Sequence, residues 1–376
     1  MRPGAELLIN TLSTPDAAAR LGLADWDLVI RQARHASLLS RLGWLFRDSE
    51  PQALPPQVAR HLASARRVSD KQARVVRFEL SRIDAALRPL NTPVVVLKGA
   101  AYVAAGLPPG GGRIFSDIDI LVPKARLEEA ERHMARHGWM TTHHDAYDQR
   151  YYRQWMHELP PLKHGRRGTV VDMHHTILPE TARLHPDPQK LLAASRPLPG
   201  YDCLHTLGDL DMVLHSATHL FHDGELENGL RDLVDLDLLL RHCAAQTGFW
   251  DALVRRAAEL ELARPLHYAL RYSSALLHTP VPQAALDAAA AQGRPKGPQS
   301  ALMDALFRRA LLPDHPSCDD AGTPLARWLL YVRSHYLRMP LHLLLPHLLR
   351  KALKRHQGSS PMQAPEVEGK PEVEGK

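Results

Sequence analysis

The sequence predicts an α+β fold: a small mixed β-sheet core near residues 89–200, flanked by N-terminal and C-terminal helical regions. Three observations carry this. Short β-branched runs, each bounded by turn residues, occur at 94–97, 117–122 and 169–174, and such runs read as strands. Ala, Leu and Arg with helical apolar spacing dominate on both sides of that stretch. With 44% hydrophobic and 23% charged residues, the chain can bury a core and is not of disordered composition. The expected organisation is residues 1–88 helical, 89–200 sheet core, 201–356 helical and 357–376 a disordered tail.

Trp26, Val29, Ile30 and Ala33 recur at helical spacing, after N-cap chemistry at Ser13-Thr14 followed by Pro15. The Pro-rich break at 51–56 precedes a basic helix over 58–87, with Val68, Val75, Val76 and Leu80 expected on its inner side. Its arginines read as a solvated face rather than a phosphate-binding one. Composition changes at Pro89, and Val94-Val95-Val96-Leu97 forms the first strand, ended by Lys98-Gly99. A short helix over 100–105 stops at Gly106, and 109–112 is expected to be a flexible loop. The second strand alternates polar and apolar residues from Asp117 before turning wholly apolar. A helix over 125–138 has Gly138 as its C-cap. The third strand follows a basic turn at 163–168. Two helices over 207–222 and 226–242, further helix over 250–275, and a Leu/His/Arg-rich pattern over 328–356 complete the chain. PEVEGK occurs twice in tandem at 365–370 and 371–376, too short and charged to bury a core.

Cys203, Cys243 and Cys318 stand far apart, so neither a disulfide framework nor a Cys-x-x-Cys metal or redox site is supported. No stretch reads as a signal peptide or a membrane span, and the cytoplasm is the expected location. A formal charge of +6 is mild for this length; it favours anionic partners such as nucleotides without requiring a nucleic acid. The apolar, cationic stretch 338–356 admits peripheral membrane contact, although a helix packed on the core explains its leucines equally well.

The chemistry concentrates in Asp117-x-Asp119, with Asp172 on another strand. Residues two apart on a strand share a face, so the paired carboxylates lie side by side and repel unless a cation joins them. Magnesium takes oxygen ligands of this kind, together with water and substrate phosphates. Lys98, Gly99, Arg113 and Ser116 stand close in sequence and are candidate phosphate contacts. The glycines 110–112 read as a hinge rather than a phosphate cradle.

The stretches VVVLKGAAYVAAGLPPGGGRIFSDIDILV and GTVVDMHHTIL resemble the polymerase-beta-type nucleotidyltransferase superfamily. More narrowly, they resemble the bacterial uncharacterised nucleotidyltransferases. The resemblance covers about residues 90–240 and implies a mixed sheet, with Asp117, Asp119 and Asp172 as catalytic, metal-binding carboxylates. It also matches Gly99 to the glycine of the superfamily's Gly-Ser turn, where backbone approaches the triphosphate. Ala100 stands where that motif has serine, and the gap from Gly99 to Asp117 is longer than the minimal motif's. The implied activity is magnesium- or manganese-dependent transfer of a nucleotidyl group from a nucleoside triphosphate to an acceptor, whether small molecule, peptide or protein. Transfer of another group, such as glycosyl, from a nucleotide-linked donor is the alternative. A non-catalytic nucleotide- or partner-binding protein is a third reading.

His174 shares the face of Asp172 by strand alternation, which makes it an acceptor-side candidate. His215, His219, His222, Arg231, Asp232 and Asp235 sit on the helices expected to wall the site, and His219 and Asp232 are expected to face the cleft of Asp117 and Asp119. His219-x-x-His222 has no acid at a matching helical offset to complete a recognised metal motif.

Overall fold

The computed structural model describes residues 4–48, 54–141, 156–224 and 226–340. A seven-stranded mixed sheet forms the centre, in the order β3-β4-β5-β2-β1-β7-β6. Its strands are β1 (Val94–Val96), β2 (Ile118–Leu121), β3 (Trp139–Thr141), β4 (Leu162–His164), β5 (Val170–His174), β6 (Arg196–Pro197) and β7 (Leu204–Thr206). The three runs with a strand pattern are the three central strands β5-β2-β1. The four others hold two or three residues each, too few to show a period of two. β4 runs into the stretch expected to be a basic turn and ends there at His164, and β7, beyond residue 200, pairs in parallel with β1.

The N-terminal helices are α1 (Leu7–Ser13), α2 (Leu23–His35), α3 (Leu39–Leu45) and α4 (Pro56–Leu87). Thr14 makes no side-chain cap to the 3-10 turn Pro15–Arg20 that follows it. α5 (Lys98–Ala104) starts directly after β1, two residues earlier than expected, and α6 (Leu127–Arg136) closes at Gly138, whose φ of +95° suits a glycine. After β7 come the helices Asp209–Thr218 and Gly229–Cys243, joined through a π turn at His219–Asp223. A helical block from Phe249–Glu259 to Thr323–Arg338 follows. The last of these ends two residues before Pro340, where a proline stops helix propagation. The tail 357–376 and the stretch 341–356 lie outside the described residues. Among the described residues no helix is long and apolar enough to cross a membrane.

One continuous apolar cluster runs from α1 and α2 through the sheet into the C-terminal helices. Val94, Val95 and Val96 are fully buried, each worth about 1.5–3 kcal/mol by removal from water. α4 spans about 48 Å at 1.5 Å per residue and braces the sheet through two buried carboxylates. Asp84 accepts from the backbone N–H of Asp202 and Cys203 at 3.0 and 2.9 Å, at the approach to β7. Glu79 takes a two-pronged contact from Arg167, in the turn between β4 and β5, at 2.7 and 3.0 Å. Val76 and Leu80 are buried as expected. Val68 and Val75 are not: they are 51% and 46% exposed, because Ser69, Val76, Glu79 and Ile83 occupy the inner face instead.

The loop before Arg113 is packed rather than free. Pro108–Gly110 forms a 3-10 turn, and the buried Arg41 of α3 donates to the carbonyls of Pro108 (3.0 Å) and Pro109. Gly112 has φ +70°, and a Cβ there would lie 2.5 Å from the Ser40 carbonyl, so glycine is required for close packing.

Candidate active site

β2 and β5 run parallel with Asp119 opposite Asp172, so alternation puts both carboxylates on one face of the sheet. Asp117 sits one residue before β2, half-buried, and accepts from the Ser116 hydroxyl at 3.0 Å. The charges of Asp117, Asp119 and Glu158 all reach Asp172.

The three aspartates differ electrostatically. Asp119 is buried, and its Oδ1 accepts from Lys98 Nζ at 2.9 Å and His174 Nε2 at 3.0 Å. Although burial opposes ionisation, these two partners hold its carboxyl well below the usual range. At Asp172 the charge of His174 is outweighed. Burial and then the charge of Asp119 push it up to about 7. Its Oδ1 is buried without a hydrogen-bond partner among the described residues. A buried, orphaned carboxylate oxygen beside two more carboxylates fits a bound divalent cation, which would supply the missing partner.

Lys98 reaches Asp119 from a left-handed backbone, φ +50°, that L-residues other than Asn and Asp adopt seldom. Gly99 lies under Phe115 and Arg113: a Cβ there would stand 2.8 Å from the Phe115 ring and 3.2 Å from Arg113 Nε. Any side chain at 99 would push Arg113 out of place.

A cavity of about 150 Å³ brings together Lys98, Gly99, Arg113, Ser116, Asp117, Asp119, His219, Arg231, Asp232 and Asp235. Asp172 and His174 border it through Asp119 rather than lining it. Ligand pockets that enclose a whole small molecule run to ~300–1,000 Å³, so this one takes only part of a nucleotide. Among its lining groups Lys98, Arg113 and Arg231 face four carboxylates, an excess of negative charge that a phosphate chain meets only together with a cation.

Arg113 is anchored by Asp235 at 2.7 Å and Asp232 at 3.4 Å, yet its buried Nε has no hydrogen-bond partner among the described residues. Arg231 clasps Asp232 at 2.9 Å, and His219 Nδ1 stands 3.8 Å from the same carboxylate. Asp232 is held below the usual range, chiefly by Arg231 against the opposing effect of burial. His215 is buried and does not line the cavity, whereas the buried Asp235 does. Arg41 reaches Asp235 at 3.2 Å, so α3 braces the site from 194 residues away in sequence. Nothing in the pattern around Arg41 announces this; a buried arginine in an otherwise amphipathic stretch has no local signature. Tyr102, also buried at the cavity wall, was equally silent in the sequence.

The sequence model of a family described as uncharacterised nucleotidyltransferase matches residues 23–278. No curated protein and no solved structure shows a significant match to the chain.

Proposed function

Because the chain belongs to the uncharacterised nucleotidyltransferase family, we propose that it transfers a nucleotidyl group from a nucleoside triphosphate to a hydroxyl or phosphate of an acceptor. Magnesium or manganese would be held by Asp117, Asp119 and Asp172. The observation that carries this reading is the pairing of Asp119 with Asp172 on parallel strands, with the Asp172 Oδ1 buried and lacking a hydrogen-bond partner among the described residues. A bound divalent ion would activate the attacking oxygen and neutralise charge on the leaving pyrophosphate.

The chain's own groups then divide the work. Lys98, Arg113 and Arg231 meet the phosphates, with Arg113 Nε the donor most in need of an anion. Asp232 and Asp235 keep the arginines aimed at the cavity. Gly99 leaves the room Arg113 occupies. Lys98 and His174 keep Asp119 charged. Asp172, beside the attacking oxygen, accepts its proton as the bond to the α-phosphorus forms and the α–β bridge breaks. His219 flanks the acceptor, His174 acts on it from behind Asp119, and Asp232 acts on it through the arginines.

Thermal-shift and pyrophosphate-release assays with the four common triphosphates, with magnesium or manganese, test the proposal. Asp117→Asn should keep the fold and lose most turnover; full activity in that variant would remove the assignment. One observation favours a second reading, binding without turnover: the Lys98 ammonium already occupies Asp119. Nucleotide binding with no pyrophosphate release would select it. A product mass that differs from nucleotidyl addition would select transfer of another group.

A further inference from the structure

Beyond the carboxylate cluster, a second set of donors gathers on the far side of His174. The imidazole Nε2 of His174 is engaged by Asp119 at 3.0 Å, which leaves Nδ1 facing Glu158 Oε2 at 3.4 Å. Glu158 is brought there by an isolated antiparallel bridge to His174. His157 Nε2 stands 4.0 Å from the same Glu158 oxygen, and the two imidazole centroids are 5.1 Å apart. One donor atom from each of the three residues lies within 4.8 Å of the others.

Zinc bonds of about 2.0–2.1 Å in a tetrahedron place neighbouring donors about 3.3 Å apart and two ligating imidazole centroids about 5 Å apart. The centroids therefore already match, and the Glu158–His174 edge does too. Only the edges to His157 have to shorten, by about 1 Å, which side-chain rotation supplies. Nitrogen donors suit zinc and its first-row neighbours and do not suit magnesium, which takes oxygen. A carboxylate on the other nitrogen of a ligating histidine is the arrangement that fixes the tautomer and ring orientation of such a ligand. Asp119 stands in that position. The three side chains are 13%, 22% and 4% exposed, sheltered yet open to a fourth ligand from solvent.

We propose that His157, Glu158 and His174 bind one zinc-class transition-metal ion, distinct from the ion that Asp117, Asp119 and Asp172 would hold, with Asp119 also anchoring His174 from behind. The bound ion would lock His174 and so fix the orientation of the Asp119 carboxylate. The site stands apart from the nucleotidyl-transfer reading, since its ligation needs no nucleotide.

The test uses the full chain, stripped with chelator, kept in excess magnesium to fill the carboxylate site, and titrated with cobalt(II), following the visible ligand-field bands and their loss on adding zinc. One saturable equivalent per chain is expected, displaced by zinc and not by magnesium. His157→Ala and Glu158→Gln should each weaken cobalt binding at least about tenfold. Asp117→Asn should bind cobalt as the wild type does, whether or not the protein turns over nucleotide. The proposal is overturned if no saturable equivalent binds, or if both His157→Ala and Glu158→Gln bind cobalt as tightly as the wild type.

Discussion

Asp119 and Asp172 face each other across two strands, yet their environments separate them: one carboxyl is held down by Lys98 and His174, the other is pushed up to about 7. That split comes from partners that no local motif encodes, although the pairing itself was legible in Asp117-x-Asp119 and the third strand acid. Lys98 carries a second local signature. Its left-handed backbone costs an ordinary side chain ~1 kcal/mol or more, a cost glycine escapes. Lys98→Gly and Lys98→Met both remove the ammonium from Asp119. Chemical denaturation should find the glycine variant more stable than the methionine variant by about 1 kcal/mol. Equal stability would mean the strain is not held in the native state.

At the scale of elements, the three central strands are legible because each lies in a β-branched run bounded by turn residues. The four outer strands β3, β4, β6 and β7 are not, since backbone pairing rather than side-chain pattern defines them. α4 was legible as a helix but not in its facing: Glu79 and Asp84 turn inward to satisfy partners on distant strands, which displaces Val68 and Val75 to the surface. Asp84→Ala should cost about 2 kcal/mol, because the buried Cys203 N–H loses its acceptor. The glycine loop was misread as flexible for the same reason, its partner α3 being remote in sequence. Gly112→Ala should destabilise by about 1–3 kcal/mol, from a positive φ and a collision with Ser40. Unchanged urea midpoints in either variant would contradict these packing roles.

Across the whole molecule, two buried histidines, His215 and His267, make stability fall in acid. His267 on the helix Ala263–Leu277 is 5% exposed, and burial first, then Arg271 and Arg294, lower it to about 4. His215 is lowered to about 3, again chiefly by burial. Both folded values lie below the unfolded value of about 6.5, so unfolding takes up protons in acid. Their contribution is complete above pH ~6.5 and is lost as pH falls toward the folded values. His267→Gln should therefore flatten the decline in unfolding free energy between pH ~6.5 and ~4.5 by about 2 kcal/mol. A parallel decline in wild type and variant would show that this histidine charges freely in the fold.

Asp172 offers the most direct test, because its Oδ1 is buried without a hydrogen-bond partner among the described residues and a cation would complete it. Magnesium-dependent pyrophosphate release should be measured for wild type and Asp172→Asn, with unfolding free energy measured on the same samples. Replacing an ill-placed carboxyl by its neutral isostere should leave the fold as stable or slightly more so, while turnover falls at least ~100-fold. Turnover within a few-fold of wild type in a folded Asp172→Asn protein would contradict the central claim.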